Sequence, residues 1–167
     1  MTQPTFDYHG YDIPVDLAHM TGGGPDTFPI IADMHQAGLR KWIDLKPTDR
    51  VLEVGCGIGR DAIPLTTFLT SGSYVGVDII APSITWLKDN VATKHSNFDF
   101  VQLDISDDLH NPDGVMKTAE VQLPAADASI DKIFLFSVFT HMFKSEIEHY
   151  LREFKRILAP GGKVYAT

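Results

Sequence analysis

Arg50-Val-Leu-Glu-Val-Gly-Cys-Gly-Ile-Gly-Arg60 decides the fold. Its first half, Arg50–Val54, is short, rich in apolar residues and bounded by glycine, as a strand is. Its second half sets Gly55, Gly57 and Gly59 at alternate positions. Glycine adopts conformations that a Cβ forbids, so such a run lets the main chain pass within contact distance of a ligand. A helix fits next, from about Arg60 to Thr70, with Pro64 tolerable only near its start. Strand, glycine turn and helix in that order open a βαβ unit.

The same alternation continues downstream. Ser73–Val77 reads as a second strand and Phe98–Leu103 as a third. Between them Pro82–His95 is a helix with Ile84, Leu87 and Val91 on one face. Ile130–Phe136 is a fourth strand, too apolar to be half exposed, as in a parallel sheet covered on both faces. Ser145–Leu158 is the clearest helix. Ser145 and Glu148 form a capping box, and Ile147, Tyr150, Leu151, Phe154, Ile157 and Leu158 make its apolar stripe. Pro160-Gly161-Gly162 stops it, and Lys163–Thr167 starts a fifth strand. Strands separated by helices imply right-handed crossovers. The expected fold is therefore α/β, a doubly wound, mostly parallel sheet with helices on both faces, ending at the fifth strand.

Upstream, Phe28, Ile31, Met34, Gly38, Trp42 and Leu45 recur at helical spacing, and Pro29 sits where its missing N–H costs nothing. Residues 1–27 carry Pro4, Pro14, Pro25 and Gly22-Gly23-Gly24. They are expected to be an irregular segment, a lid or leader ahead of a domain spanning 28–167. Residues 105–128 show no period, and a loop that long is usually functional.

The 167 residues suit one domain, and 44% hydrophobic with 22% charged is ordinary for a globular chain. No apolar run approaches the ~20 residues a membrane span needs, and the N-terminus lacks the basic-then-apolar pattern of a secretory signal. Cys56 is the only cysteine, which excludes an internal disulfide and fits a reducing, cytoplasmic setting. The net charge of −8 opposes a phosphate backbone, so nucleic acid is not the expected partner. The histidines show no metal-ligand spacing, so no metal site is expected.

In a doubly wound sheet, ligands bind beyond the carboxyl ends of the strands. Three polar features stand there: Glu53 with its glycine turn, Asp78 after the second strand, and Asp104 after the third. Each has an ordinary reading. Gly59 serves close helix–strand contact, and Asp78 or Asp104 alone is a turn residue or helix cap. Their joint placement at successive strand ends favours a ligand: Asp78 for the hydroxyls of a ribose, Asp104 for an exocyclic amine. Cys56 reads as a small residue between glycines, not a nucleophile. Trp42, Trp86, Phe134 and Phe136 read as core.

VLEVGCGIGR resembles the first motif of class I S-adenosylmethionine-dependent methyltransferases. YVGVDI resembles their second motif and FDFVQLDI their third. DKIFLFSVFTHM followed by YLREFKRILAPGG resembles the fourth strand, helix and glycine turn of their generic methyltransferase-domain branch. The likeness covers residues 50–167 in order. It implies S-adenosylmethionine as cofactor, with Glu53, Gly55, Cys56 and Gly57 at its methionine end. It places Asp78 on the ribose, Ile79 against the adenine, Asp104 and the Ile105 N–H at the adenine edge, and Ser137 near the methyl. The implied activity is methyl transfer by in-line displacement to a small-molecule acceptor. His141, four residues past Ser137, is the candidate base by position; its ordinary reading is a capping or packing group.

Two rivals stand beside this. A nicotinamide-dependent oxidoreductase shares the glycine turn and the later acid, but its fingerprint wants a small residue where Arg60 stands. A non-catalytic cofactor-binding module is the other. Complete members of the resembled class have seven strands, and the pattern here stops at five. The C-terminal strands are therefore expected to be missing. The exposed fifth strand is expected to favour a homo-oligomer, and catalysis by these residues alone to be weak. Ser137-Val-Phe-Thr140 stands where amino-methylating nucleic-acid enzymes of that class carry Asp/Asn-Pro-Pro-Tyr, a further argument for a small-molecule acceptor.

Overall fold

A computed structural model describes residues 3–107 and 111–167; residues 1, 2 and 108–110, including Asp108 of the unassigned stretch, lie outside the described residues. Five parallel strands form the main sheet: β3 (Arg50–Val54), β4 (Ser73–Asp78), β5 (Phe98–Gln102), β6 (Ile130–Leu135) and β7 (Leu158–Ala166). They lie in the order β5-β4-β3-β6-β7. The chain builds outward from β3 to β5, crosses back, and resumes on the other side of β3. The switch point is thus between β3 and β6, where such sheets open a crevice at their carboxyl ends.

Alternation along the strands feeds two cores. On one face Val51, Tyr74, Phe98, Phe100 and Phe134 pack with α2 (Phe28–Trp42), α3 (Ala62–Phe68) and α4 (Ala81–Leu87). On the other, Leu52, Val54, Val77, Ile133 and Leu135 pack with Tyr150, Phe154 and Ile157 of α5 (Lys144–Ile157). The doubly wound architecture follows from this two-sided burial.

Several elements differ from expectation. The N-terminal segment is not irregular. Thr5–Tyr8 (β1) and Tyr11–Pro14 (β2) pair as an antiparallel hairpin, and Val15–His19 is a short helix, α1. The hairpin folds because Phe6 and Tyr8 meet the ring of Phe28 edge-on, at 5.4 and 4.9 Å between centroids. Pro14 does not break it, since the proline ends the strand, where no ladder N–H is needed. The second crossover helix is α-helical only to Leu87 and finishes as a π-turn, Lys88–Ala92. At α5 the capping residue is not Ser145: the Glu146 carboxylate reaches back to accept the Phe143 N–H at 2.7 Å. β7 begins directly after α5 and absorbs Pro160-Gly161-Gly162 as an irregularity in its pairing with β6.

The unassigned stretch is tied down by the polar side of α5. His149 Nε2 lies 2.7 Å from the Val121 carbonyl, Glu153 accepts the Leu123 N–H, and Arg156 donates to the carbonyls of Leu123 and Ala125. Val121 and Leu123 are thereby buried against α5 without any periodic pattern of their own. Among the described residues, no helix is long and apolar enough to cross a membrane.

Candidate functional site

A cavity of about 590 Å³ opens at the switch point, within the range of small-molecule sites. It is lined by Glu53, Gly55, Cys56, Gly57, Asp78, Ile79, Ile105, Ser137 and His141, so nearly every residue singled out in the sequence meets here.

Glu53 is buried at the end of β3, and its carboxylate accepts a hydrogen bond from the Tyr74 hydroxyl. Burial pushes its carboxyl well above the usual range; the charge of Asp61 adds to this, while the Tyr74 bond and Arg60 oppose it. After β3 the chain turns through three glycines of positive φ. At Gly57 (φ 52°) an added Cβ would stand 2.3 Å from Thr21 Cγ2. That glycine is required by the N-terminal segment lying directly over the turn. At Gly59 (φ 86°) a Cβ would strike Leu87 Cδ2 at 2.6 Å, which makes Gly59 the packing glycine between the turn and α4.

Asp78 ends β4, where it is largely buried. One carboxylate oxygen accepts the Gly57 N–H at 2.6 Å and the other accepts the Ile80 N–H at 2.9 Å. The acid thus clamps the glycine turn to its own strand end, a role that strand spacing alone does not disclose. Cys56 is buried, and its thiol is pushed well up, first by burial and then by Asp78 and Glu53. A thiol held in that form is not a nucleophile.

The adenine-edge pair stands differently. Asp104 does not line the cavity; its Oδ1 accepts from the Asn111 amide at 3.0 Å, which turns it toward the following loop. The Ile105 N–H donates to the Leu103 carbonyl at 2.7 Å, while the Ile105 side chain lines the cavity. Ser106 and Asp107 are the polar residues the structure brings to this end.

Ser137 follows β6 in a left-handed conformation, φ 59°. Conformations of that kind in a non-glycine residue cluster at functional sites. His141 ends a single 3₁₀ turn, Phe139–His141, exposed at the mouth.

Three further groups line the cavity. His19 to Gly22 close over the glycine turn. Arg60 anchors them, its Nη1 donating to the Thr21 carbonyl at 3.1 Å and its guanidinium lying 5.8 Å from the Phe28 ring centre. Asp61 stands beside it, buried. The side chains of Arg60 and Asp61 follow the glycine turn immediately, the signal that could have marked them in the sequence. The Thr21 contact had none, since it depends on the hairpin.

The methyltransferase-domain family matches residues 52–166. This chain belongs to that family. Among curated members, methyltransferase GfsG of Streptomyces halstedii is 29% identical over 122 residues, covering 73% of this chain and 38% of that protein. The 27-O-demethylrifamycin SV methyltransferase of Amycolatopsis mediterranei is 28% identical over 123 residues, with 73% and 39% covered. The 23S rRNA (uracil(1939)-C(5))-methyltransferase RlmD of Photobacterium profundum is 33% identical over 69 residues, covering 41% and 14%. The chain thus spans less than two fifths of the length of these relatives. Among solved structures, a SAM-dependent methyltransferase of Aquifex aeolicus superposes with a TM-score of 0.62 at 17% identity, over 90% of this chain and 70% of that one. The superposition shows the shared Rossmann-like methyltransferase fold.

Proposed function

We propose that the cavity binds S-adenosylmethionine and that the protein transfers its methyl group to a small-molecule acceptor. The observation that carries this is the meeting of the β3 glycine turn and the β4-end carboxylate in one cavity at the switch point. The lining fits the cofactor from end to end. Ile79, Leu103 and Ile105 supply an apolar seat for adenine, with Ser106 and Asp107 at its rim, and Asp78 is the carboxylate for the ribose hydroxyls. Glu53 and the turn at Gly55, Cys56 and Gly57 receive the methionine end, and Ser137 stands toward the reacting methyl. Asp104 supports this site from the loop behind it.

The bound cofactor supplies a methyl carbon made electrophilic by the sulfonium. The protein's own work is then alignment in a closed site. Residues His19–Gly22 cover the glycine turn and keep water from it, which makes the N-terminal segment a lid. An imidazole suits proton transfer near neutral pH, and His141 at the mouth is our candidate to take the acceptor's proton.

The acidic chain and the rifamycin-modifying relative support a small-molecule acceptor; the rRNA-modifying relative favours RNA as the second reading. A cofactor-binding domain that needs the rest of a longer protein for turnover is compatible with the same site. Arg60 argues against the nicotinamide reading, since it stands where that fingerprint wants a small residue and reaches out to Thr21.

Calorimetry with S-adenosylhomocysteine and with NAD tests the cofactor, and mass spectrometry of the purified protein searches for a trapped acceptor. Binding of NAD with no response to S-adenosylhomocysteine overturns the proposal.

A further inference from the structure

The end of the cavity nearest Glu53 contains a carboxylate that the cofactor assignment does not use. Asp61 is only 3% exposed and lines the cavity. Two residues of α2 hold it from behind. His35 Nδ1 lies 2.8 Å from Oδ2, and the Gln36 amide donates to the Asp61 carbonyl at 3.2 Å. His35 is itself fixed by stacking on Phe136, 3.5 Å between ring centres and 9° from parallel. The orientation of the carboxylate is therefore set from outside the cavity. Its other oxygen, Oδ1, is buried with no hydrogen-bond partner. Burying a charged acceptor unpaired is costly, so an orphan of this kind calls for a donor that arrives with the ligand. Arg60, the adjacent cation, spends its Nη1 on the Thr21 carbonyl, and its buried Nε makes no hydrogen bond to Oδ1. Glu53 is close by: burial first, and then the charge of Asp61, pushes its carboxyl up. An arriving cation favours the charged form of both neighbouring carboxyls.

We infer that Asp61 Oδ1 is a seat for a primary ammonium, that of the amino-acid end of the cofactor, with His35 as its positioning residue. The inference rests on the cofactor reading above. It adds a specificity determinant beyond the glycine turn and Glu53: the site requires the charged amine and not only the nucleoside. His35 matters here because a carboxylate with one oxygen already hydrogen-bonded presents the other in a fixed direction, so less ordering is needed when the ligand binds.

The test compares ligands that differ only at that end. S-adenosylhomocysteine carries the ammonium and no sulfonium, its deaminated analogue lacks the ammonium, and 5′-methylthioadenosine lacks the whole amino-acid end. Calorimetry is run on the unaltered chain and on Asp61→Asn, which keeps the shape and removes the charge. The expected result is that Asp61→Asn weakens S-adenosylhomocysteine about tenfold or more while changing methylthioadenosine by less than about twofold. Deaminated S-adenosylhomocysteine should bind both proteins alike. Asp61→Asn binding S-adenosylhomocysteine as the unaltered chain does overturns the inference, as does an equal loss of both nucleosides. Should Asp61→Asn not fold, the unaltered chain decides: a deaminated analogue that binds within about twofold of S-adenosylhomocysteine also overturns it. Failure of the cofactor reading is distinct, because then neither S-adenosylhomocysteine nor methylthioadenosine binds the unaltered chain.

Discussion

Glu53 and Asp78 are both strand-end acids, yet the structure gives them different physics. Glu53 is buried beside Asp61, and its carboxyl titrates above its ordinary value of 4.5. A raised value means that the folded state holds this proton more tightly than the unfolded chain does. The stability it contributes is therefore present in acid, below the unfolded value, and is lost as pH rises through the folded one. Glu53→Gln cannot ionise, so it should melt at higher temperature than the unaltered chain near neutral pH, and the gap should close as pH falls toward 4.5. Paired thermal melts across that window at constant salt check this; a Gln variant that melts lower throughout would show that the carboxylate stabilises the fold. Asp78 is held differently: both its oxygens accept backbone N–H groups. From spacing alone its loss should leave the fold intact. The clamp it makes on Gly57 changes that expectation. Asp78→Ala should cost about 1.5–3 kcal/mol of S-adenosylhomocysteine affinity and also lower the melting temperature by several degrees. Calorimetry beside a melt separates the two losses. The residue types of the site were legible because acid and glycine at a strand end have few structural reasons to coincide. Their partners, Tyr74 on Glu53 and Asn111 on Asp104, were not, because no local pattern relates them.

At the scale of elements, amphipathic and apolar periods marked the strands and helices of the main sheet, and the failures fall where short-range pattern is not what holds the chain. The β1–β2 hairpin has four-residue strands and two prolines in its neighbourhood, and it is made by aromatic contacts to α2. The stretch before β6 is made by the polar face of α5. Both are tertiary overrides of weak local signal. Arg60 links this scale to function. Its Nη1 holds the Thr21 carbonyl, and its own carbonyl accepts the Tyr8 hydroxyl at 3.0 Å, so one residue of the glycine turn ties down both ends of the N-terminal segment. Arg60→Ala should free residues 19–24 from the turn. Limited proteolysis should then cut near Gly22-Gly23-Gly24 faster than in the unaltered chain, and S-adenosylhomocysteine should dissociate faster, as read by stopped-flow. Unchanged cleavage and dissociation would show that the segment stays in place without Arg60.

For the whole molecule, the doubly wound parallel sheet was readable because strand, helix and strand in sequence admit few arrangements once crossovers are right-handed, while the order β5-β4-β3-β6-β7 comes from the structure. That order leaves β7 at one edge of the sheet. One side of β7 is paired to β6 from Lys132–Lys163 to Leu135–Ala166. Its Tyr165 ring packs on Phe136 at 5.6 Å and stands where a Cβ at Gly38 of α2 would meet it at 3.1 Å, so the strand is held against the domain. Val164 is partly exposed, and from Lys163 to Ala166 the only charge is Lys163 itself. A sparsely charged edge offers its hydrogen-bonding groups to another chain. The 167-residue chain should therefore self-associate as its concentration rises, with an average mass by light scattering that climbs with concentration. Val164→Lys places a second charge on that edge next to the first. It should return the chain to a monomer while S-adenosylhomocysteine affinity stays the same, because Val164 does not line the cavity. A monomer of constant mass in both proteins would show that this edge does not recruit a partner chain.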